Sequence, residues 1–107
     1  MNQAEFDLVF SKAKKANHKF MLALYRPNQF NFARLGVIVS KRVAKRAVSR
    51  NRIKRAVRES FRANKTRLEG IDVIILLRQI NGTVSKAELR GVIDQLWEKL
   101  IAGRQST

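Results

Sequence analysis

Cysteine is missing from this 107-residue chain, which rules out disulfide staples, cysteine–zinc centres and thiol chemistry and fits a reducing compartment. Histidine occurs once, at His18, and no motif sets a carboxylate or a nucleophile to work with it. The eight acids stand singly along the chain, which offers no Asp/Glu cluster for a two-metal site, and there is no glycine-rich phosphate loop. Long apolar runs are lacking too. The stretch Val73 to Leu77 is strand-sized, far short of the ~20 residues of a membrane span. The opening Met1-Asn2-Gln3-Ala4-Glu5 has no basic cap followed by an apolar segment, so no secretory signal is expected and a cytoplasmic location is. Proline also occurs once, as Pro27 in the polar stretch Arg26-Pro27-Asn28-Gln29, which reads as a loop.

What the chain has in excess is positive charge, +15 at neutral pH. Self-repulsion on that scale opposes compaction and is explained by a polyanionic partner. The excess is also uneven. Lys41, Arg42, Lys45, Arg46, Arg50, Arg52, Lys54, Arg55, Arg58, Arg62 and Lys65 are opposed within that stretch by Glu59 alone, whereas a merely soluble surface mixes the signs. With 45% hydrophobic residues the chain can build one compact core, so residues 1–107 are expected to form a single domain.

Periodicity predicts the elements. Phe6, Val9, Phe10 and Ala13 share one face of a helix over residues 3–14, with Asn2 and Glu5 as a capping pair. Residues 18–25 alternate as a strand, Phe20, Leu22 and Leu24 on one side and Met21, Ala23 and Tyr25 on the other. A second strand runs from Arg34 to Ser40, and Phe30 to Ala33 either extends it or forms a short extra strand. Over residues 47–67, Ile53, Val57, Phe61 and Leu68 make an apolar stripe, while Asn51, Arg55, Arg58 and Arg62 recur on a different face. Ile71 to Arg78 reads as a buried central strand and Asn81-Gly82 as a turn. Ser85 and Glu88 form a capping box for a last helix whose core stripe is Leu89, Val92, Ile93, Leu96, Trp97 and Leu100. The expected class is α+β in the order α-β-β-α-β-α, a small mixed sheet with helices packed on it.

The segments Val39-Ser40-Lys41-Arg42, Ala47-Val48-Ser49-Arg50-Asn51-Arg52-Ile53-Lys54-Arg55 and Arg58-Glu59-Ser60-Phe61-Arg62 resemble the signature of the bacterial ribonuclease P protein family. A bare Arg-Asn-Arg tripeptide has no weight; the extended pattern on a basic helix after a strand end is specific, and the element order matches over roughly residues 4–101. The resemblance implies a four-stranded sheet with the basic helix in a left-handed crossover between parallel strands, against the usual hand. It implies a protein subunit of a ribonucleoprotein endonuclease. Its catalytic RNA removes 5′ leaders from precursor tRNA with Mg²⁺, held mainly by RNA, and no protein residue is catalytic. The basic helix is then expected to bind the catalytic RNA, and a cleft between the first helix and the sheet to hold the leader. Members usually carry a basic stretch ahead of the first helix, where this chain starts almost at that helix. The cleft strand often has an aromatic where Ala23 stands, and Tyr25, two residues on, is expected to substitute.

The candidate RNA-binding residues are Lys41, Arg42, Arg46, Arg50, Asn51, Arg52, Lys54, Arg55, Arg58 and Arg62. Guanidinium forks bond phosphate oxygens bidentately and stay charged, and Asn51 offers a donor and an acceptor to a base edge, a 2′-hydroxyl or a hydrated ion. A solvated helix face would instead carry i,i+4 acid–base pairs, and here only Glu59 is available, as a partner for Arg55 or Arg62. Phe6, Phe10 and Tyr25 are the candidate leader-stacking rings, although Phe at i,i+4 on an amphipathic helix is ordinarily core. Phe30 and Phe32 either stack on bases or pack, and Trp97 is read as core. The expected partners are the catalytic RNA and precursor tRNA, with no membrane and no small-molecule substrate. The competing reading is a structural, ribosomal-type RNA-binding protein, which composition fits equally well.

Overall fold

The computed structural model describes residues 2–78 and 84–105, and the predicted Asn81-Gly82 turn lies outside them. Helix α1 (Gln3–Lys12) opens on the expected capping box: Asn2 Oδ1 accepts from the Glu5 amide at 2.9 Å and Glu5 Oε1 from the Asn2 amide at 3.1 Å. Then come strands β1 (Lys14–His18), β2 (Met21–Pro27) and β3 (Arg34–Ile38), helix α2 (Ala47–Ala63), strand β4 (Ile71–Leu77) and helix α3 (Lys86–Gln105). The sheet order is β1-β2-β4-β3, antiparallel except for the β3–β4 pair, which is parallel and joined through α2. The mixed α+β sheet carrying helices is therefore as expected.

Where the elements differ from the periodic reading, the reasons are local. The extra strand is Lys14–His18, and residues 28–33 are irregular. Strand β1 has no hydrophobic alternation because it is an edge; only Ala16 is buried, and its lysines are what keeps an edge from pairing with another chain. His18 belongs to this strand and not to the next, since Lys19 takes a left-handed conformation (φ 51°) in the two-residue connection to β2. Helix α2 stops at Ala63, where the Asn64 side chain donates to the Ser60 carbonyl at 2.8 Å, so Leu68 is buried from a following 3₁₀ turn rather than from the helix.

Two cores lie on the two faces of the sheet. On one face Val9 of α1, with Phe6 and Ala13, packs on Leu24 and Ile74. On the other, Met21, Ala23, Tyr25, Val73 and Ile75 meet Val57 and Phe61 of α2 and the whole predicted stripe of α3. Burying such side chains contributes roughly 1.5–3 kcal/mol each. Trp97, core as expected, donates from Nε1 to Ser60 Oγ at 2.9 Å, tying α3 to α2. Ser60→Ala leaves that indole N–H without its acceptor and is expected to cost about 1–3 kcal/mol. A urea midpoint matching that of the unsubstituted protein would show that the bond adds nothing net.

Candidate nucleic-acid interface

Helix α2 turns Ala56, Val57, Ser60 and Phe61 into the core. Because 3.6 residues make a turn, Asn51, Arg52, Arg55, Arg58 and Arg62 are carried outward, and all five are exposed. Glu59 pairs with Arg55 at 3.3 Å, an exposed i,i+4 pair of the sort worth a few tenths of a kcal/mol. Among the described residues no carboxylate pairs with Arg52, Arg58 or Arg62. The first turn of α2 carries no acid and no side-chain cap, so the positive end of the helix dipole adds to the patch. Lys41, Arg42 and Arg46 are exposed on the loop leading in, and Lys54 is half-buried. Arg50 is differently employed. Its Nη1 donates to the carbonyls of Ala44 and Lys45, both at 2.9 Å, and holds the entry loop against the helix. Beside the comb, Arg52, Arg55 and Lys86 edge a groove of about 750 Å³ floored by Val43, Ile53, Ala56, Val84 and Leu89.

The opposite sheet face is covered only in part, by α1. The edge of the Phe6 ring meets Gly36, where an added Cβ would come within 2.6 Å of it, and the half-buried ring packs on the Val9, Leu24 and Ile74 core. Phe10, one turn on, is 46% exposed. Lys15 and Asn17 face this side because they are paired with Leu24 and Leu22, and Asn17 Oδ1 accepts from Arg78 Nη2 at 2.6 Å. At the other end of this face Arg26, Asp72 and Arg34 stand in register across three strands. Arg34 grips Asp72 with two bonds of 2.8 and 2.7 Å and also pairs with Glu5 at the start of α1. Burial pushes the Asp72 carboxyl up, but hydrogen bonds from Arg34 and Asn28 and the charge of Arg26 outweigh it, leaving it below the usual aspartate range. Hydrogen bonding to Asp72 first, and then to Glu5, holds Arg34 above the ordinary arginine range. Arg26 Nη1 is buried and has no hydrogen-bond partner among the described residues.

A family model described as Ribonuclease P matches residues 1–101. The chain belongs to the ribonuclease P protein family. It is 42% identical over 103 residues to the ribonuclease P protein component of Ectopseudomonas mendocina (strain ymp), covering 95% of this chain and 77% of that one. Against the same component of Azotobacter vinelandii it is 38% identical over 104 residues, covering 96% and 80%. Among solved structures, a Staphylococcus aureus RNase P protein superposes with a TM-score of 0.84 at 26% identity, covering 92% of this chain and 90% of that one. A Thermotoga maritima RNase P protein, solved with 1-(4-fluorophenyl)-2-thiourea, gives 0.75 at 29% identity, covering 86% and 90%.

In this member of the ribonuclease P protein family, an expected leader-stacking residue lies on the other side of the sheet. Tyr25 is 4% exposed and faces the α2/α3 side of the sheet, its hydroxyl against Gly103 of α3. Burial pushes its phenol up. Tyr25 and Ala23 do share a face, as the alternation says, but that face is not the one α1 covers. The expectation that Tyr25 stands in for a cleft aromatic is therefore corrected: it is core. Missing from the sequence reading were Lys15, Asn17 and Arg78 beside α1 and the Arg26–Asp72–Arg34 row. Asp72 had a signal, being the lone acid in an otherwise apolar strand, where a charge persists only if paired. Desolvation, then the charges of Lys99 and Lys19, push His18 below the ordinary histidine range.

Proposed function

We propose that this protein is the RNA-binding subunit of a ribonuclease P, joining a catalytic RNA that removes the 5′ leader from precursor tRNA. The observation that carries this reading is the outward comb of α2, Asn51, Arg52, Arg55, Arg58 and Arg62, set on a family fold with its apolar side spent on the core. Lys41, Arg42, Arg46 and Lys54 extend the same surface. Arg50 positions the loop that presents Lys41 and Arg42, with the rest of its fork left for phosphate. The catalytic RNA takes this face. The single-stranded leader takes the face beside α1, where Phe10 offers a ring and Lys15 and Arg78 offer cations to its backbone. The two RNA surfaces thus lie on opposite sides of one sheet, so the subunit can hold its RNA and its substrate together.

Mg²⁺ belongs on RNA phosphates in this reading. The donor set along α2 is guanidinium and ammonium groups with Asn51, and its carboxylate, Glu59, is already paired, so the face repels a cation rather than ligating it. No protein residue is assigned a chemical step, and the role is positioning and charge neutralisation. Among the described residues no helix is long and apolar enough to cross a membrane, and a cytoplasmic site of action fits the RNA partner. The nuclease-treated protein alone is expected to leave precursor tRNA intact and to support cleavage once the catalytic RNA is restored. Cleavage by the treated protein would overturn the assignment. Phe10→Ala is expected to weaken binding of leader-bearing substrate by roughly 1–3 kcal/mol while sparing the leaderless form. Equal losses on both would return Phe10 to a packing role.

A further inference from the structure

At the end of the sheet where β2 finishes and β3 starts, Phe30 and Phe32 stack on each other with centroids 5.0 Å apart and planes inclined by 26°. The Arg34 guanidinium lies 4.6 Å from the Phe30 centroid. Both rings nevertheless remain about half exposed, at 45% and 48%. A single exposed apolar side chain needs no explanation. This pair differs because the backbone beneath it is pinned. The Phe30 amide donates to Asn28 Oδ1 at 2.9 Å, and the Phe32 carbonyl accepts from Asn28 Nδ2 at 3.2 Å and from the Gly70 amide at 3.4 Å. Asn28 Nδ2 also donates to Asp72 at 2.9 Å, so loop and charge row are joined in one hydrogen-bonded network.

We propose that Phe30 and Phe32 are a preformed stacking platform for an unpaired base of single-stranded RNA; this rests on the RNA-binding reading above and extends it to residues outside the α2 comb and at the opposite end of the α1-side sheet face from Lys15, Asn17 and Arg78. Three things select that occupant. The loop is ordered by folding, so binding need not meet that cost again. The cluster beneath is neutral, Arg26 and Arg34 against Asp72 and Glu5, so what it presents is ring surface rather than a cation for phosphate. The chain as a whole carries +15, which draws in a polyanion and opposes a second copy of itself on the same patch. Base–aromatic stacking is tolerant of sequence and depends on a flat π-face, so an aliphatic side chain of similar bulk cannot replace it.

The test measures binding of a short mixed-sequence oligoribonucleotide, single-stranded or annealed into a duplex, to the full chain across a salt series. The Phe30→Leu/Phe32→Leu double variant is expected to bind the single strand about 5-fold or more weakly, with the log–log salt slope, the duplex affinity and the unfolding midpoint unchanged. Phe32→Tyr, which keeps the π-face, is expected to bind as the unsubstituted protein does. Undiminished single-strand binding by the leucine variant overturns the platform. So does an equal loss on duplex, a fall in salt slope, or a shift in oligomeric state. If the leucine variant is unstable, loss of binding by a well-folded Phe32→Tyr also overturns it. Failure of the wider reading looks different: the unsubstituted protein would then show no steep salt dependence toward RNA, whatever stands at positions 30 and 32.

Discussion

Replacing Arg52, Arg55 and Arg58 together by alanine is expected to weaken binding of the catalytic RNA by about 100-fold at physiological salt, at about 1 kcal/mol for each lost phosphate contact. The log–log salt slope should fall by roughly 2–3 in the same series, since each contact accounts for about 0.7–0.9 of it. Stability should hardly move, because all three side chains project into solvent and surface changes of this kind stay within about ±0.5 kcal/mol. Removal of Arg55 also frees Glu59, whose repulsion of RNA adds a little to the loss. Arg50 makes an informative contrast. Its guanidinium is bonded to the Ala44 and Lys45 carbonyls, so Arg50→Ala should loosen the entry loop and lower stability along with affinity. An intact salt slope in the triple variant would take the phosphates away from α2 altogether.

Asp72→Ala is expected to cost about 3–5 kcal/mol, a large share of the roughly 5–15 kcal/mol that holds a typical domain folded. The reason is what remains. Asp72 is 5% exposed, and its removal leaves Arg34 paired with Glu5 alone among the described residues and takes away the carboxylate beside Arg26. The effect has a pH signature. The folded carboxyl titrates below the usual value, about 3.9 in an unfolded chain, so its stabilisation is complete above that value and disappears as pH falls through the lowered one. Urea midpoints of the two proteins should therefore differ most near neutrality and converge in strong acid. A gap that persists unchanged at pH 2 would mean that Asp72 stabilises by packing alone. The same substitution removes the acceptor that orients Asn28 and Arg34, so it should also disorder the Phe30–Phe32 loop.

These predictions divide the molecule into what is written locally and what is not. The comb on α2 was legible without a structure, because helical period and charge sign are both properties of neighbours in sequence, and the same holds for the α3 stripe, the α1 capping box and the apolar strand β4. Two-residue alternation likewise announced that β2 has two sides. Which side would lie under α1 and which under α3 depends on the route of the chain, and there Tyr25 went to the core. Strand β1 escaped notice since an edge is held by hydrogen bonds to its neighbour and leaves little hydrophobic trace. The Arg26–Asp72–Arg34 row, with the aromatic pair above it, joins residues up to 46 positions apart that only strand register brings together. Local chemistry thus determined the three helices, strands β2, β3 and β4 and the cationic comb; the pairing of distant strands decided where the edge strand β1 lies, which rings meet solvent and which charges are neutralised.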